Sequence, residues 1–489
     1  MAALLLPSHS INKKGDTMNM VKTFSIPSEK ATKQLKFKTL SGNKRKIVIS
    51  SNWLTIMNFN PDDRFVEKSL GPNKGMVINK VQDLFDEQVG KTKKVHVRSY
   101  PKRKNNPLET LLEVASQKII DESFPQDCEK LHVIFESNRI TILPISNFQA
   151  EAIANATQES RYDVFAACTS GVDLYSMENT HGFRIHSCLE WRPQEKRNKD
   201  QDLTETGALT VLRNLGHGIK NLFNEDITNI NTKFIKDSMG TPVTTFIVSP
   251  QCDDFTNLKS PGSKQNSILD LSSTIDMAYD ILRLIEELKP PVIVFEQVPG
   301  WYKSDIYKML ELRLRRFGYT ANLLVADSRQ YGGLTGRRRG YAVFSALQAP
   351  FAFEEPEAKR TGSIWDIVKK HLPMCRDVTH SKSLQDGKTT GRLRTINRES
   401  TSSPTIIKSM MRMAKDSIVI EHDGRFFWPC EALIKELMGI SQKFKLDCVS
   451  GEIGGEILGQ SICVNHHDSI IRSVKRHIDV FFESSYKTA

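Results

Sequence analysis

Cysteine is scarce in this sequence. There are eight in 489 residues (Cys128, Cys168, Cys188, Cys252, Cys375, Cys430, Cys448 and Cys463), and no two form a CxxC pair. Closely spaced thiol pairs are what structural zinc sites and small disulfide frameworks are built from. Both classes are therefore excluded, and we expect reduced thiols and no bound metal. Long apolar runs are also missing, since a membrane helix needs roughly 20 residues. The opening MAALLLPSHS has no basic stretch before its short apolar one, so it does not read as a secretory signal. A cytoplasmic protein with no membrane partner is expected. No GxGxxG follows a predicted strand, which excludes a dinucleotide-dependent dehydrogenase.

An acidic surplus is absent as well: the formal charge is +11. It is unevenly spread. Residues 1–150 carry 24 Lys and Arg against 15 Asp and Glu, whereas residues 151–489 carry 44 against 42. Positive charge gathered at one end favours a polyanionic partner, most simply nucleic acid.

What is present falls into two rhythms. Residues 1–40 are polar and basic (Lys13, Lys14, Lys30, Lys33, Lys36, Lys38) and are expected to form a flexible arm. Between 41 and 150, RKIVIS, GMVINKV, KKVHVRSY and HVIFESNRITILP read as strands, with a helix at about 107–121. This predicts a small α+β domain whose most basic stretch spans Lys91 to Lys104. From about 158 to 350, strands alternate with helices, the pattern of a doubly wound, mostly parallel sheet. YDVFAACTS, HGFRIHSCLEW, TTFIVSPQC, PVIVFEQV, TANLLVAD and GYAVFSA are the strands. Helices are expected at 268–288 and 304–317, with Ser304 as N-cap and Gly318 as stop. Residues 351–425 are polar and irregular, and a helix pair at 429–440 and 466–482 closes the chain within 426–489.

Ligands of open α/β sheets bind beyond the carboxyl ends of the strands. Three such ends carry reactive groups: Ser249-Pro250-Gln251-Cys252, Glu296-Gln297 and Glu190-Trp191. A thiolate is a strong nucleophile near neutral pH, and a carboxyl at the tip of an apolar strand can hold a proton. On adjacent tips the two can act on one small molecule.

In order and spacing these segments resemble the cytosine-C5 DNA methyltransferase family, over about 160–345 and 400–480. DVFAACTSG is similar to that family's first motif, and the likeness puts Phe165 against the methionine part of the cofactor and Gly171 in the cofactor turn. Glu190-Trp191 resembles the pair that binds ribose hydroxyls and adenine, and Asp226-Ile227 resembles the adenine-binding Gly-Asp-Ile. SPQCDDFT looks like the nucleophile motif, with Pro250 beside the cofactor and Cys252 as nucleophile. FEQV resembles Glu-Asn-Val, with Glu296 as the base-binding acid. YGGLTGRRRGYAV puts Arg337 and Arg339 at the motif arginines, which hold the flipped base and its phosphates. SSPTI and RFFWPCEALIKELMGI resemble the penultimate block. LGQSI resembles the closing motif and would return Gln460 and Ser461 to the cofactor pocket.

The resemblance implies a Rossmann-like catalytic domain that uses S-adenosylmethionine on double-stranded DNA. Cys252 would add to C6 of an extruded cytosine, Glu296 would protonate N3, and C5 would take the methyl group. Residues 351–425 would be a reduced target-recognition region, with the basic N-terminal domain supplying DNA contacts. A monomer of prokaryotic, phage or mobile-element origin is expected. The sequence also departs from the family pattern. Ala167, Thr169 and Ser170 replace glycines, Gln251 a proline, Asp253 and Thr335 glutamines, and Gln297 an asparagine. Asp253 beside Cys252 would raise the thiol's pKa. Two other readings therefore stay open. One is a decayed relative that grips DNA without modifying it; the other is an enzyme of the same scaffold acting on RNA.

Overall fold

The computed structural model describes residues 30–82, 92–103, 107–193, 201–256, 259–356 and 361–487. Lys13, Lys14, Lys91 and Lys104 lie outside them. The chain divides into two compact units, residues 1–147 and 148–489.

In the first unit a six-stranded sheet runs in the order 31–36, 130–136, 139–145, 76–80, 64–69, 93–94. A four-stranded sheet runs 38–39, 45–50, 108–114, 96–99. Ile47, Ile49, Phe65, Val133 and Phe135 anchor their shared core. Two expectations are corrected here. The end of the supposed arm, Ala31–Lys36, is a strand: Ala31, Lys33 and Leu35 alternate inward while it pairs with strand Lys130–Glu136. The supposed helix at 107–121 is instead strand Leu108–Val114 followed by helix Gln117–Ser123. Its leucines suit either period, and strands on both sides, Arg45–Ser50 and His96–Ser99, decide the matter.

The second unit is built on seven strands: β1 (Asp163–Ala167), β2 (Arg184–Leu189), β3 (Asn221–Phe223), β4 (Thr245–Val248), β5 (Val292–Gln297), β6 (Thr320–Asp327) and β7 (Arg338–Ser345). The sheet order is β3-β2-β1-β4-β5-β7-β6. The first five are parallel, and β7 is antiparallel to both its neighbours. Its helices, after a short one at Phe148–Ala154, are α1 (Val172–His181), α2 (Thr206–Leu215), α3 (Thr232–Met239), α4 (Pro261–Leu269), α5 (Met277–Leu288), α6 (Asp305–Arg316), α7 (Trp365–His371), α8 (Lys382–Thr389), α9 (Glu431–Met438), α10 (Gly451–Gln460) and α11 (Val464–Lys487).

The central strands β1, β4 and β5 are apolar along their length because both faces are covered. Phe165, Phe246, Ile293 and Phe295 face α3, α5 and α6 through Ile235, Ile281 and Leu310. Their neighbours Val164, Ile247, Val292 and Val294 face α1, α2 and α11 through Leu174, Val211 and Ile470. Each such side chain contributes about 1.5–3 kcal/mol by leaving water. This is the Rossmann-like fold expected from the alternation. In these three strands polar residues appear only at the ends, so the chemistry is confined to the tips.

Residues 351–425 are not irregular. Strands 376–377, 425–428, 418–422 and 394–396 form a four-stranded sheet over a core of Val378, Leu384, Val419, Phe426 and Trp428. Val378 and Leu384 stand singly in the sequence, and the runs Ile418–Ile420 and Phe426–Trp428 are only three residues long, so no extended period announces the sheet. The closing pair of helices is really three. The additional one, α10, is glycine-rich and so a poor helix former. Ser450 caps it, accepting from the Ile453 N–H, and a Cβ on Gly459 would lie 2.4 Å from the Ile407 backbone. Among the described residues no helix is long and apolar enough to cross a membrane, and no cluster of His, Cys, Asp and Glu could hold a metal ion.

Candidate active site

The sheet's winding reverses between β1 and β4, and a cavity of about 540 Å³ opens at the tips there. Its walls come from segments far apart in the chain. Glu190, Trp191, Asp226 and Ile227 line one side; Pro250, Gln251, Cys252, Glu296 and Arg339 line the other; Gln460 and Ser461 close it from the end of α10. Phe165, Gly171 and Arg337 do not line it.

On the first side Glu190 is 8% exposed and accepts from the Thr169 backbone N–H. Burial, opposed by that bond and reinforced by Asp173, pushes its carboxyl up to about 8. Its carboxylate packs so closely on α2 that a Cβ at Gly207 would stand 2.1 Å from Oε1. The Asp226 side chain accepts from the Thr228 N–H at 3.0 Å and starts a short 3-10 turn. The turn after β1 takes left-handed backbone at Cys168 (φ 60°) and Gly171 (φ 95°), and at neither Thr169 nor Ser170. Gly171 thus serves as the N-cap of α1 rather than as cavity wall. The absence of glycine at 167, 169 and 170 therefore imposes no backbone strain.

On the second side Cys252 begins a 3-10 turn, Asp253–Phe255, directly beyond β4. Gln297, at the tip of β5, donates from Nε2 to the Pro250 carbonyl at 2.5 Å. Its own Oε1 accepts from the Val298 N–H at 2.6 Å. The glutamine that departs from the motif thus pins the thiol loop to the next strand. Asp254 fixes the loop's far end through Lys259 at 2.6 Å and the Thr274 N–H at 3.0 Å.

Glu296 sits beside this loop, 9% exposed, with Arg339 Nε 3.1 Å from its Oε1. Burial raises the Glu296 carboxyl, while Arg339, then Arg337, pull it back. The Cys252 thiol is also raised, first by burial and then by Asp253, with Arg339 opposing. Removing the Asp253 charge should therefore ease ionisation of the thiol. In Asp253→Asn the Cys252 thiolate should appear at lower pH, and alkylation of the Cys252 peptide at neutral pH should quicken about two- to threefold. Mass spectrometry of iodoacetamide-treated protein across pH checks this; an unmoved profile contradicts the assigned cause.

Two further placements differ from the expectations. Phe165 is fully buried beneath the tips, its ring 5.4 Å from that of Phe246, because strand alternation points it into the α5 layer. Arg337 is 1% exposed and spends its guanidinium on carbonyls: Ile406 at 2.8 Å, Gln460 at 2.9 Å and Gly459 at 3.3 Å. It thereby caps the negative end of α10 and fastens the SSPTI segment. Thr335, in place of the motif glutamine, is buried and donates to the Pro404 carbonyl at 3.1 Å.

Sequence reading also missed Asp173. It lines the cavity from the first turn of α1, accepts from the Thr169 hydroxyl, and its charge raises both Glu190 and Glu296. An acidic residue in a first helical turn following β1 was the available signal. Arg192, bonded to the fully buried Glu456 at 2.5 Å, ties the Glu190 loop to α10.

A family model for the C-5 cytosine-specific DNA methylase matches residues 213–476, more than half of the chain. No curated protein sequence matches it. Among solved structures, the Entamoeba histolytica methyltransferase EhMeth is 15% identical, with a TM-score of 0.49, over 65% of this chain and 97% of that one. The Dnmt2 methyltransferase of S. pombe is 15% identical, with a TM-score of 0.48, over 64% and 98%. A putative DNA modification methyltransferase encoded within an E. coli prophage is 15% identical, with a TM-score of 0.44, over 65% and 99%.

Proposed function

Because the chain belongs to the C-5 cytosine-specific DNA methylase family, we propose that it methylates C5 of cytosine in duplex DNA through a covalent adduct on Cys252. The observation that carries this reading is the opening of Cys252, Glu296 and Arg339 onto the same cavity as Glu190, Trp191 and Asp226. A nucleophile and a proton-holding acid share one space with a set of groups suited to a nucleoside.

The cavity suits S-adenosylmethionine. Glu190 is a buried carboxyl group on the cavity wall, and its oxygens can accept from hydroxyls such as those of a ribose. Trp191 offers an aromatic face, and Asp226 an acceptor for an amino group. When bound, S-adenosylmethionine supplies an electrophilic methyl group at the cytosine C5 position. The rest is done by the chain. The target base must leave the duplex stack to reach a cavity at the strand tips. Cys252 then adds to C6, and Glu296 gives its proton to N3, so that electron density moves to C5. Once C5 carries the methyl group, a water molecule removes the C5 proton, the thiolate departs from C6, and N3 returns its proton to Glu296. Arg339, a donor with no acceptor, holds the carboxylate of Glu296 and the base oxygen beside it.

The substrate is tested directly by transfer of labelled methyl from S-adenosylmethionine to duplex DNA and to tRNA in parallel. We expect label on duplex DNA. Label confined to tRNA would turn the reading to the RNA enzyme, and label on neither, with DNA still bound, would turn it to a non-catalytic binder. Bisulfite sequencing of host DNA with and without the gene then reads the target motif.

The first unit supports a DNA partner through its charge. Lys94, Arg98 and Lys102 are exposed along its basic stretch. Changing all three to Gln in the full chain should weaken DNA binding roughly tenfold at moderate salt. It should also flatten log Kd against log salt by about 0.9 for each phosphate the unit no longer neutralises. An unchanged slope removes this unit from the DNA interface.

A further inference from the structure

A second thiol site lies away from the cavity. Strand Arg376–Asp377 pairs antiparallel with the end of strand Arg425–Trp428, Arg376 lying opposite Trp428. Cys375 immediately precedes the first and Cys430 follows the second by two residues, so the register brings them to one end of the ladder. Cys375 belongs to the core cluster against which Cys430 packs, and the two thiols stand near enough to perturb each other's ionisation. Cys375 is buried, Cys430 half-buried, and neither is bonded to another cysteine. Cys430 also occupies the N-cap of α9 with extended backbone (φ −75°, ψ 162°). His371 stands close by, bonded to Glu436 at 2.6 Å, while its carbonyl accepts from the Cys375 thiol at 3.4 Å.

We propose that Cys375 and Cys430 are a redox dithiol that closes to a reversible disulfide, with Cys430 as the thiol that reacts first. The arrangement separates the two roles. The Cys375 side chain, the helix N-terminus and His371 all favour a thiolate on Cys430, holding it below the ordinary thiol range, and Cys375 is held above it. Cys252 is raised instead, so we expect Cys430 rather than the cavity nucleophile to react first with an oxidant. With a hydroperoxide as oxidant, the Cys430 thiolate attacks one peroxide oxygen, the O–O bond breaks, and hydroxide leaves. Cys430 is then a sulfenic acid. The Cys375 sulfur attacks it, the S–O bond breaks, and the oxygen departs as water with the thiol proton. Two thiols lose two electrons, and one hydrogen peroxide becomes two waters. The bond would close a ring around residues 376–429, the stretch holding the SSPTI segment on which Arg337 is anchored.

The experiment treats the full-length protein with about one equivalent of hydrogen peroxide and maps peptides without reduction. The Cys375–Cys430 linked peptide, two hydrogens lighter than the separate peptides and released by dithiothreitol, should be the first oxidised product. Cys375→Ser should leave Cys430 as a sulfenic acid that a 1,3-dione captures. Cys430→Ser should leave Cys375 unmodified at the same dose. In untreated wild type, which needs no variant to fold, Cys430 should be alkylated at least about tenfold faster than Cys252 at pH 7. Recovery of both as free thiols after treatment, earlier oxidation of Cys252, or equal alkylation of the two would each overturn the assignment.

Discussion

Cys252→Ser should abolish methyl transfer. Turnover is expected to fall by at least about a thousandfold, because a serine hydroxyl at neutral pH is a far weaker nucleophile than a thiol. Among the described residues no histidine lines the cavity to activate it. Binding of S-adenosylmethionine should stay within about twofold, since Glu190, Trp191 and Asp226 form the other wall of the cavity. Single-turnover methyl transfer on duplex DNA, with cofactor affinity from calorimetry, separates the two quantities. Retained turnover would show that the thiol is a bystander. A parallel loss of cofactor binding would show that the change reached the cavity's architecture.

Glu296→Gln should cost about a hundred- to a thousandfold in turnover. The amide keeps the size and can still face the base, but it has no proton to give to N3 and no charge for Arg339, 3.1 Å away in the wild type. The pH effect has a definite sign. Burial raises the Glu296 carboxyl, so its acid form persists to higher pH than that of an exposed glutamate. Wild-type activity should therefore rise as Cys252 ionises and fall as Glu296 loses its proton. In Glu296→Gln the falling limb should vanish. The same change removes a negative charge that raises the Cys252 thiol, so Cys252 should be alkylated faster while turnover collapses. Slower alkylation together with lost turnover would instead report a disturbed cavity.

The parts of this site that were legible in the sequence share one physical cause. Strands buried on both faces are mostly apolar, so Cys252 and Glu296 stand out as reactive groups beyond TTFIV and PVIVF, while Glu190 follows the buried but more polar RIHSCL. What was not legible depends on contacts between distant segments. Arg337 is indistinguishable in sequence from Arg339, and only the carbonyls of Ile406, Gly459 and Gln460 reveal it as a clamp. Phe165 carries the motif's letter, yet strand alternation turns it into the core. The four-stranded sheet in 376–428 is built from strands of two to five residues, too short to show a period. Gln297 looked like a departure from the family pattern. Its longer amide reaches the Pro250 carbonyl and steadies the thiol loop.

The most direct measurement is a covalent trap. If Cys252 adds to C6 and the C5 proton must leave before the thiolate can, a 5-fluorocytosine in the target site stalls the reaction after methyl transfer, because carbon–fluorine bonds do not release a proton equivalent. With S-adenosylmethionine present, the account predicts a denaturant-stable protein–DNA adduct whose nucleotide maps to the peptide bearing Cys252, and none with Cys252→Ser. Methylation of ordinary DNA with no such adduct, or an adduct on a different cysteine, would contradict it.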